Sequence, residues 1–179
     1  MSRYQGVIIA GFGGQGILSI GKILAQAGMA EGMNVSWLPS YGPEIRGGTA
    51  YCHVILSDDA IGSPLLDRAT AFIAMNKPSY EKYVGMVVDG GLVIVDGSLI
   101  DAEPGSGAGF EFHSIPATKT ALDNGNAAFA NIILAGKLLA RTGVVSARSF
   151  EAALGKVLSK RYRHLIPKEM EMLKLGMEI

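Results

Sequence analysis

The segment Val7-Ile8-Ile9-Ala10-Gly11-Phe12-Gly13-Gly14-Gln15-Gly16-Ile17 decides how the rest of the chain is read. Residues Val7–Ala10 are apolar, β-branched for the most part and bounded by glycine, which is the pattern of a short buried strand. From Ile17 to Gly32 the chain reads as a helix. Ile17, Gly21, Leu24 and Gly28 recur at helical spacing, a stripe with small residues that suits close packing on a sheet. Between strand and helix, four glycines in six positions make a turn. Such a turn lets backbone N–H groups face outward at the positive end of a helix, an arrangement that suits an anion.

Composition narrows the classes. With 179 residues, the chain is long enough for one domain with a real core, taken as 1–179, and too short for two large ones. Hydrophobic residues make up 49% and charged residues 18%, so a sizeable apolar area is left for partners to cover. Lys and Arg number 16, as do Asp and Glu, and this zero balance argues against nucleic acid as a partner. No apolar run approaches the roughly 18–20 residues of a membrane span, and Met1–Gln5 passes into a strand and not into a signal segment. Cys52 is the only cysteine. One thiol makes no internal disulfide, iron–sulfur cluster or thiolate zinc site. A cytoplasmic location is expected, with any redox metal held elsewhere.

Downstream, Val35–Leu38 reads as a second strand ended by Pro39, and Thr49–Ser57 as a strong third. Between them lies Ser40-Tyr41-Gly42-Pro43-Glu44-Ile45-Arg46-Gly47-Gly48. Thr70–Met75 reads as a strand, followed by a helix over Ser79–Val87 capped by Asn76. Gly90-Gly91 precedes the fully apolar strand Leu92–Val95. Residues Asp101–Gly109 form an exposed excursion, Phe110–Ile115 a last strand, and Thr118–Leu122 a short helix. Asn126–Thr142 is a long helix, apolar nearly all round and so buried on more than one side. Ser146–Lys160 is amphipathic, and Pro167 suits the first turn of a C-terminal helix. Strands alternating with helices imply a three-layer α/β/α single domain with a mostly parallel sheet, made mixed by an antiparallel pair of the Val35 and Thr49 strands.

Gly11, Gly13 and Gly16 fit the dinucleotide fingerprint, and a stand-alone NAD(P)- or FAD-binding protein is the alternative that follows. That fingerprint needs an acidic residue about 20 positions on to hold a ribose. Positions 34–41 contain no Asp or Glu. Nor does a Gly-Lys-Ser/Thr follow, as a P-loop would require. A tight turn that binds nothing is the bland reading, and the amide of Gln15 at the helix start speaks against it. In the second loop, Glu44 and Arg46 either pair with each other on the surface or leave Arg46 free to fork onto a phosphate or carboxylate.

Catalytic groups are scarce. His53, His113 and His164 are scattered without acidic residues at metal spacing. Cys52 and His53 are strand neighbours and point to opposite faces, so they form no nucleophilic pair. No catalytic residue and no metal site is expected in this chain. Lys156, Lys160, Arg161, Arg163, His164 and Lys168 make a basic cluster, usually a solvated helix end and otherwise a contact for an acidic partner or an anionic cofactor tail.

Two stretches, Gly11-Phe12-Gly13-Gly14-Gln15-Gly16 and Tyr41-Gly42-Pro43-Glu44-Ile45-Arg46-Gly47-Gly48-Thr49-Ala50, resemble the gamma subunit of 2-oxoacid:ferredoxin oxidoreductases. Further matching pieces are Ser57-Asp58 with Ile61 and Pro64, Gly91–Asp96, Ile115-Pro116-Ala117, and Gly125-Asn126 with Asn131, in order over nearly the whole chain. The resemblance implies a part in converting a 2-oxoacid (pyruvate, 2-oxoglutarate or a related acid) and coenzyme A to acyl-CoA and CO2. It implies electrons passed to ferredoxin, thiamine diphosphate between alpha and beta subunits, and iron–sulfur clusters in beta or delta chains. The chain itself is then not active alone. Under this reading Gly11, Gly13, Gly14, Gln15, Gly16 and Arg46 either contact CoA phosphates or hold a loop of the catalytic subunit. Tyr41, Gly42, Pro43, Glu44, Arg46, Gly47 and Gly48 meet a partner subunit. Isolated, the chain is expected to self-associate through its partner-facing apolar surface.

Overall fold

The computed structural model describes residues 2–41, 49–104 and 107–179. Its strands are β1 (Tyr4–Phe12), β2 (Asn34–Tyr41), β3 (Thr49–Ser57), β4 (Ala69–Ala74), β5 (Val87–Asp96) and β6 (Glu111–Ile115). Its helices are α1 (Ile17–Ala30), α2 (Lys77–Tyr83), α3 (Ala117–Asp123), α4 (Ala130–Thr142), α5 (Ala147–Val157) and α6 (Ile166–Glu178). The strands form one six-stranded sheet in the order β2-β3-β1-β4-β5-β6. β1, β4, β5 and β6 run parallel to one another, whereas β3 is antiparallel to both β1 and β2. The expected mixed α/β sheet, with its antiparallel addition, is the one observed.

Period-two alternation sends the strand side chains into two cores. Val7, Ile9, Cys52, Val54, Ile73 and Ile94 face α1, α3, α4, α5 and α6. Ile8, Ala10, Ile55, Phe72, Val93 and Val95 face the other way, toward Tyr83 of α2 and the connecting segments at Leu66 and Ile100. The three layers are therefore unequal: one helical layer is thick and the other is a single short helix with loops.

Helix α4 is the best covered of the described helices. Ten consecutive residues, Ala130–Leu139, are buried, because α6 lies across the side that the sheet does not reach. The crossing is a backbone contact. A Cβ on Gly136 would run into the Leu173 carbonyl, and one on Gly176 into the Ile133 carbonyl. Glycine is required at both positions by this approach.

Several boundaries differ from expectation for identifiable reasons. Pro39 does not end β2; it lies inside the strand opposite Cys52. β2 is an edge strand, so one side carries no ladder and the missing N–H is tolerated. Gly90-Gly91 lies within β5, where the register shifts between the Ala69–Val87 and Ala71–Leu92 pairs. The helix after Asn76 is shorter than expected, ending at Tyr83 and continuing as a 3-10 turn, Val84–Met86. The run from Asn126 begins as another 3-10 turn, Ala127–Phe129, before α4. The Asn76 cap forms as expected: its Oδ1 accepts the Ser79 N–H at 2.8 Å.

Candidate functional site

Strands β1 and β4 are adjacent and parallel, yet α1 leaves β1 toward the thick layer and α2 leaves β4 toward the thin one. This divergence makes the switch point of an open α/β sheet, and ligands of such folds bind outside the carboxyl ends of the strands there. The glycine turn stands at that place.

Gly16 has φ 76°, a left-handed conformation that closes the turn and starts α1 with no side-chain cap. Gly14 also has a positive φ, 96°. The Ile20 N–H bonds the Gly16 carbonyl and the Gln15 N–H bonds the Phe12 carbonyl. The amides of Gly13, Gly14, Gly16, Ile17, Leu18 and Ser19 have no acceptor among the described residues. They border a cleft of about 280 Å³ lined by Phe12, Gly13, Gly14, Gly16, Ile17, Leu18, Ser19, Tyr41 and Ala50. A concave surface lined by unused N–H donors at the positive end of a 14-residue helix is suited to a phosphate or carboxylate.

Gln15 does something else than expected. Its Oε1 accepts the Phe12 N–H at 2.7 Å, and its Nε2 donates to the Met75 carbonyl at 2.9 Å. The side chain thus bridges the turn after β1 to the end of β4, across the switch-point crevice. It latches the turn. A Cβ on Gly11 would strike the same Oε1, so the latch and that glycine are mutually fitted. The crevice in which a dinucleotide would sit is occupied by this amide. Together with the missing ribose carboxylate, that argues against the dinucleotide alternative.

Tyr41 is 72% exposed at the end of β2 and borders the cleft. The sheet registers Phe12 opposite Thr49 and Tyr41 opposite Ala50. The ends of the second loop therefore stand beside the glycine turn, as a two-loop surface requires. Gly42, Pro43, Glu44, Arg46, Gly47 and Gly48 lie outside the described residues.

Asn131 was legible only through the family resemblance, yet it supports the site from behind. Its Nδ2 donates to the Gly16 carbonyl at 3.3 Å, across 115 positions of sequence. Its Oδ1 is buried without a partner among the described residues. No local pattern couples positions so far apart.

The remaining candidate groups have structural roles. Cys52 is fully buried and its thiol contacts the Ile17 carbonyl at 3.6 Å. Burial pushes that thiol up to about 12, so the free side chain is protonated at neutral pH, and as the single cysteine of the chain it cannot supply the set of thiolates that an iron–sulfur cluster needs. His53 accepts the Leu66 N–H at 3.1 Å through Nδ1, and burial lowers its pKa. His113 meets Glu111, which also pairs with Arg141 at 2.6 Å. Among the described residues, no group of three or more His, Cys, Asp or Glu side chains is placed to hold a metal ion, and no helix is long and apolar enough to cross a membrane.

Known proteins share this architecture and sequence. The pyruvate ferredoxin/flavodoxin oxidoreductase family model matches residues 6–179. Ketoisovalerate oxidoreductase subunit VorA of Methanothermobacter thermautotrophicus is 37% identical over 174 residues, covering 96% of this chain and 35% of that protein. 2-Oxoglutarate synthase subunit KorC of Archaeoglobus fulgidus is 39% identical over 145 residues, covering 80% of this chain and 74% of that one. The keto/oxoacid ferredoxin oxidoreductase gamma subunit from Geobacter sulfurreducens superposes with a TM-score of 0.81 at 29% identity, covering 97% of this chain and 96% of that one. The chain spans only about a third of the length of the VorA relatives. With the family model spanning all but the first five residues, the chain belongs to the pyruvate ferredoxin/flavodoxin oxidoreductase family.

Proposed function

We propose that residues 1–179 act as one gamma-type unit of a multi-subunit 2-oxoacid:ferredoxin oxidoreductase in the cytoplasm. Alpha, beta and, in some assemblies, delta subunits supply thiamine diphosphate and the iron–sulfur clusters. The complex oxidatively decarboxylates a 2-oxoacid to acyl-CoA and CO2 and passes the electrons to ferredoxin. This chain contributes binding surface and no reacting group. Support comes from the family membership and from the single, buried cysteine, Cys52, which cannot by itself hold an iron–sulfur cluster.

The observation that carries the site assignment is the uncapped start of α1, whose unused amides border the cleft at Gly13, Gly14 and Gly16. There the CoA phosphates are held, with Arg46 as a second contact and Tyr41 and its loop against a catalytic subunit. Gln15 keeps the turn in shape instead of touching the ligand.

Gly13 provides the test. A side chain there meets nothing within 4 Å, so the fold accepts it, but it projects beside the cleft. In the purified complex Gly13→Asp should raise the KM for CoA about ten-fold or more while the KM for the 2-oxoacid is unchanged, because a carboxylate replaces the anion at the helix start. Arg46→Ala should act in the same direction. Unchanged CoA kinetics in both variants would remove the phosphate assignment. A chain that co-purifies with no such subunits would remove the complex as well.

A further inference from the structure

The glycine-turn reading does not use the basic segment between α5 and α6. From Lys156 to Lys168 there are five Lys and Arg residues, one His and no Asp or Glu. Elsewhere the chain carries 11 Lys and Arg against 16 Asp and Glu, so the zero net charge conceals a strip of one sign on a body of the other. Lys156, Lys160, Arg161, Tyr162, Arg163 and His164 are all exposed. Among the described residues Lys156, Lys160, Arg161 and Arg163 enter no ion pair. Lys168 is engaged, with Glu171 at 2.9 Å and Asn124 at 3.3 Å.

A helix terminus accounts for only part of this. Lys156 lies in the last turn of α5, where a cation complements the dipole. That effect fades within one turn, and Arg161 and Arg163 stand beyond it on the 3-10 segment Lys160–Leu165. The segment is held at both ends, by α5 and by Pro167 in the first turn of α6, so its side chains project from a fixed backbone. The Arg161 guanidinium lies 5.2 Å from the Tyr162 ring centre, which restricts it without neutralising it. Exposed Arg and Tyr presented together are residue types that anchor protein interfaces.

We infer that Lys156, Lys160, Arg161 and Arg163 with Tyr162 form a docking surface for an acidic face of another protein subunit of the same complex. The inference rests on the proposed subunit role. A protein fits better than nucleic acid because the six-residue segment is only about 12 Å long. The net-negative remainder of the chain would also repel an extended polyanion.

The experiment uses the complex recovered through a tag on this chain, followed by affinity measurements between this chain and the remaining subunits at low and raised salt. Arg161→Glu/Arg163→Glu should weaken association about ten-fold or more at low salt and flatten its salt dependence, with an unchanged melting temperature. Lys174→Glu, an exposed cation outside the strip, should behave as the unmodified chain. Equal affinity and salt slope for the double variant would overturn the docking surface while leaving the subunit role intact. So would a loss confined to self-association, to a DNA duplex or to anionic vesicles. Failure of the unmodified chain to recover any such subunit would overturn both.

Discussion

Two places in this molecule depend on glycine, and they use it in opposite ways. At the Gly11–Gly16 turn, glycine leaves backbone donors open to a cleft: space around Gly13 is empty. At the α4–α6 crossing, glycine removes space altogether, so that the backbones at Gly136 and Gly176 touch those of Leu173 and Ile133. The first arrangement leaves backbone donors without an acceptor among the described residues. The second buries ten residues of α4 in sequence and leaves nothing to bind. A Gly-rich motif is therefore a functional signal only where its amides remain unused.

Substitutions can break this contrast, and their expected effects are graded. Gly176→Ala should cost about 3 kcal/mol or prevent folding, since its Cβ meets Ile133 backbone that cannot rotate away; denaturant unfolding measures it. Gln15→Ala removes the latch and leaves the Met75 carbonyl without its partner, for a loss of about 2 kcal/mol. Hydrogen exchange at the Phe12 amide should accelerate in the same variant, and an unchanged rate would show that the turn holds without the latch.

A smaller effect is expected at Glu169, buried in the first turn of α6 with Oε2 unpartnered among the described residues. Burial raises its carboxyl above the ordinary 4.5. The folded state therefore holds that proton more tightly than the unfolded chain, so the contribution is present below about 4.5 and is lost as pH rises through the folded value. Glu169→Gln should raise the melting temperature by about 2–4 °C at neutral pH, with the gain vanishing in acid. A gain that is independent of pH would remove the titration account. Gly13→Asp should have the least effect on stability, within about 0.5 kcal/mol, even where the proposed loss of CoA binding is found. A large stability loss there would erase the difference between the two glycine sites.

Much of the fold was legible because its signals are local. Thr49–Ser57 stands as read, and Asn76 and Pro167 start α2 and α6 as their chemistry implies. The misread boundaries share a cause: Pro39 and Gly90-Gly91 act as breakers in isolation, but an edge position and a register shift accommodate them. At the site, the absent ribose carboxylate turned the glycine pattern away from a dinucleotide fingerprint and toward one half of a two-loop surface. The use of Gln15 was hidden, because its acceptor at Met75 lies 60 positions away.

By itself the sequence determined the alternation of strands and helices, the uncapped glycine turn, the neutral balance with one basic strip, and the family. Each depends on residue type and short spacing, which act before the chain folds. Tertiary structure alone decided which amides stay free, since that depends on where Gln15 and Asn131 are carried by β4 and α4. It also decided that Gly136 and Gly176 meet, and that, among the described residues, one face of the sheet carries α1, α3, α4, α5 and α6 and the other α2. Those outcomes are fixed by contacts between distant segments, whose geometry exists only once the sheet has set the distance between them.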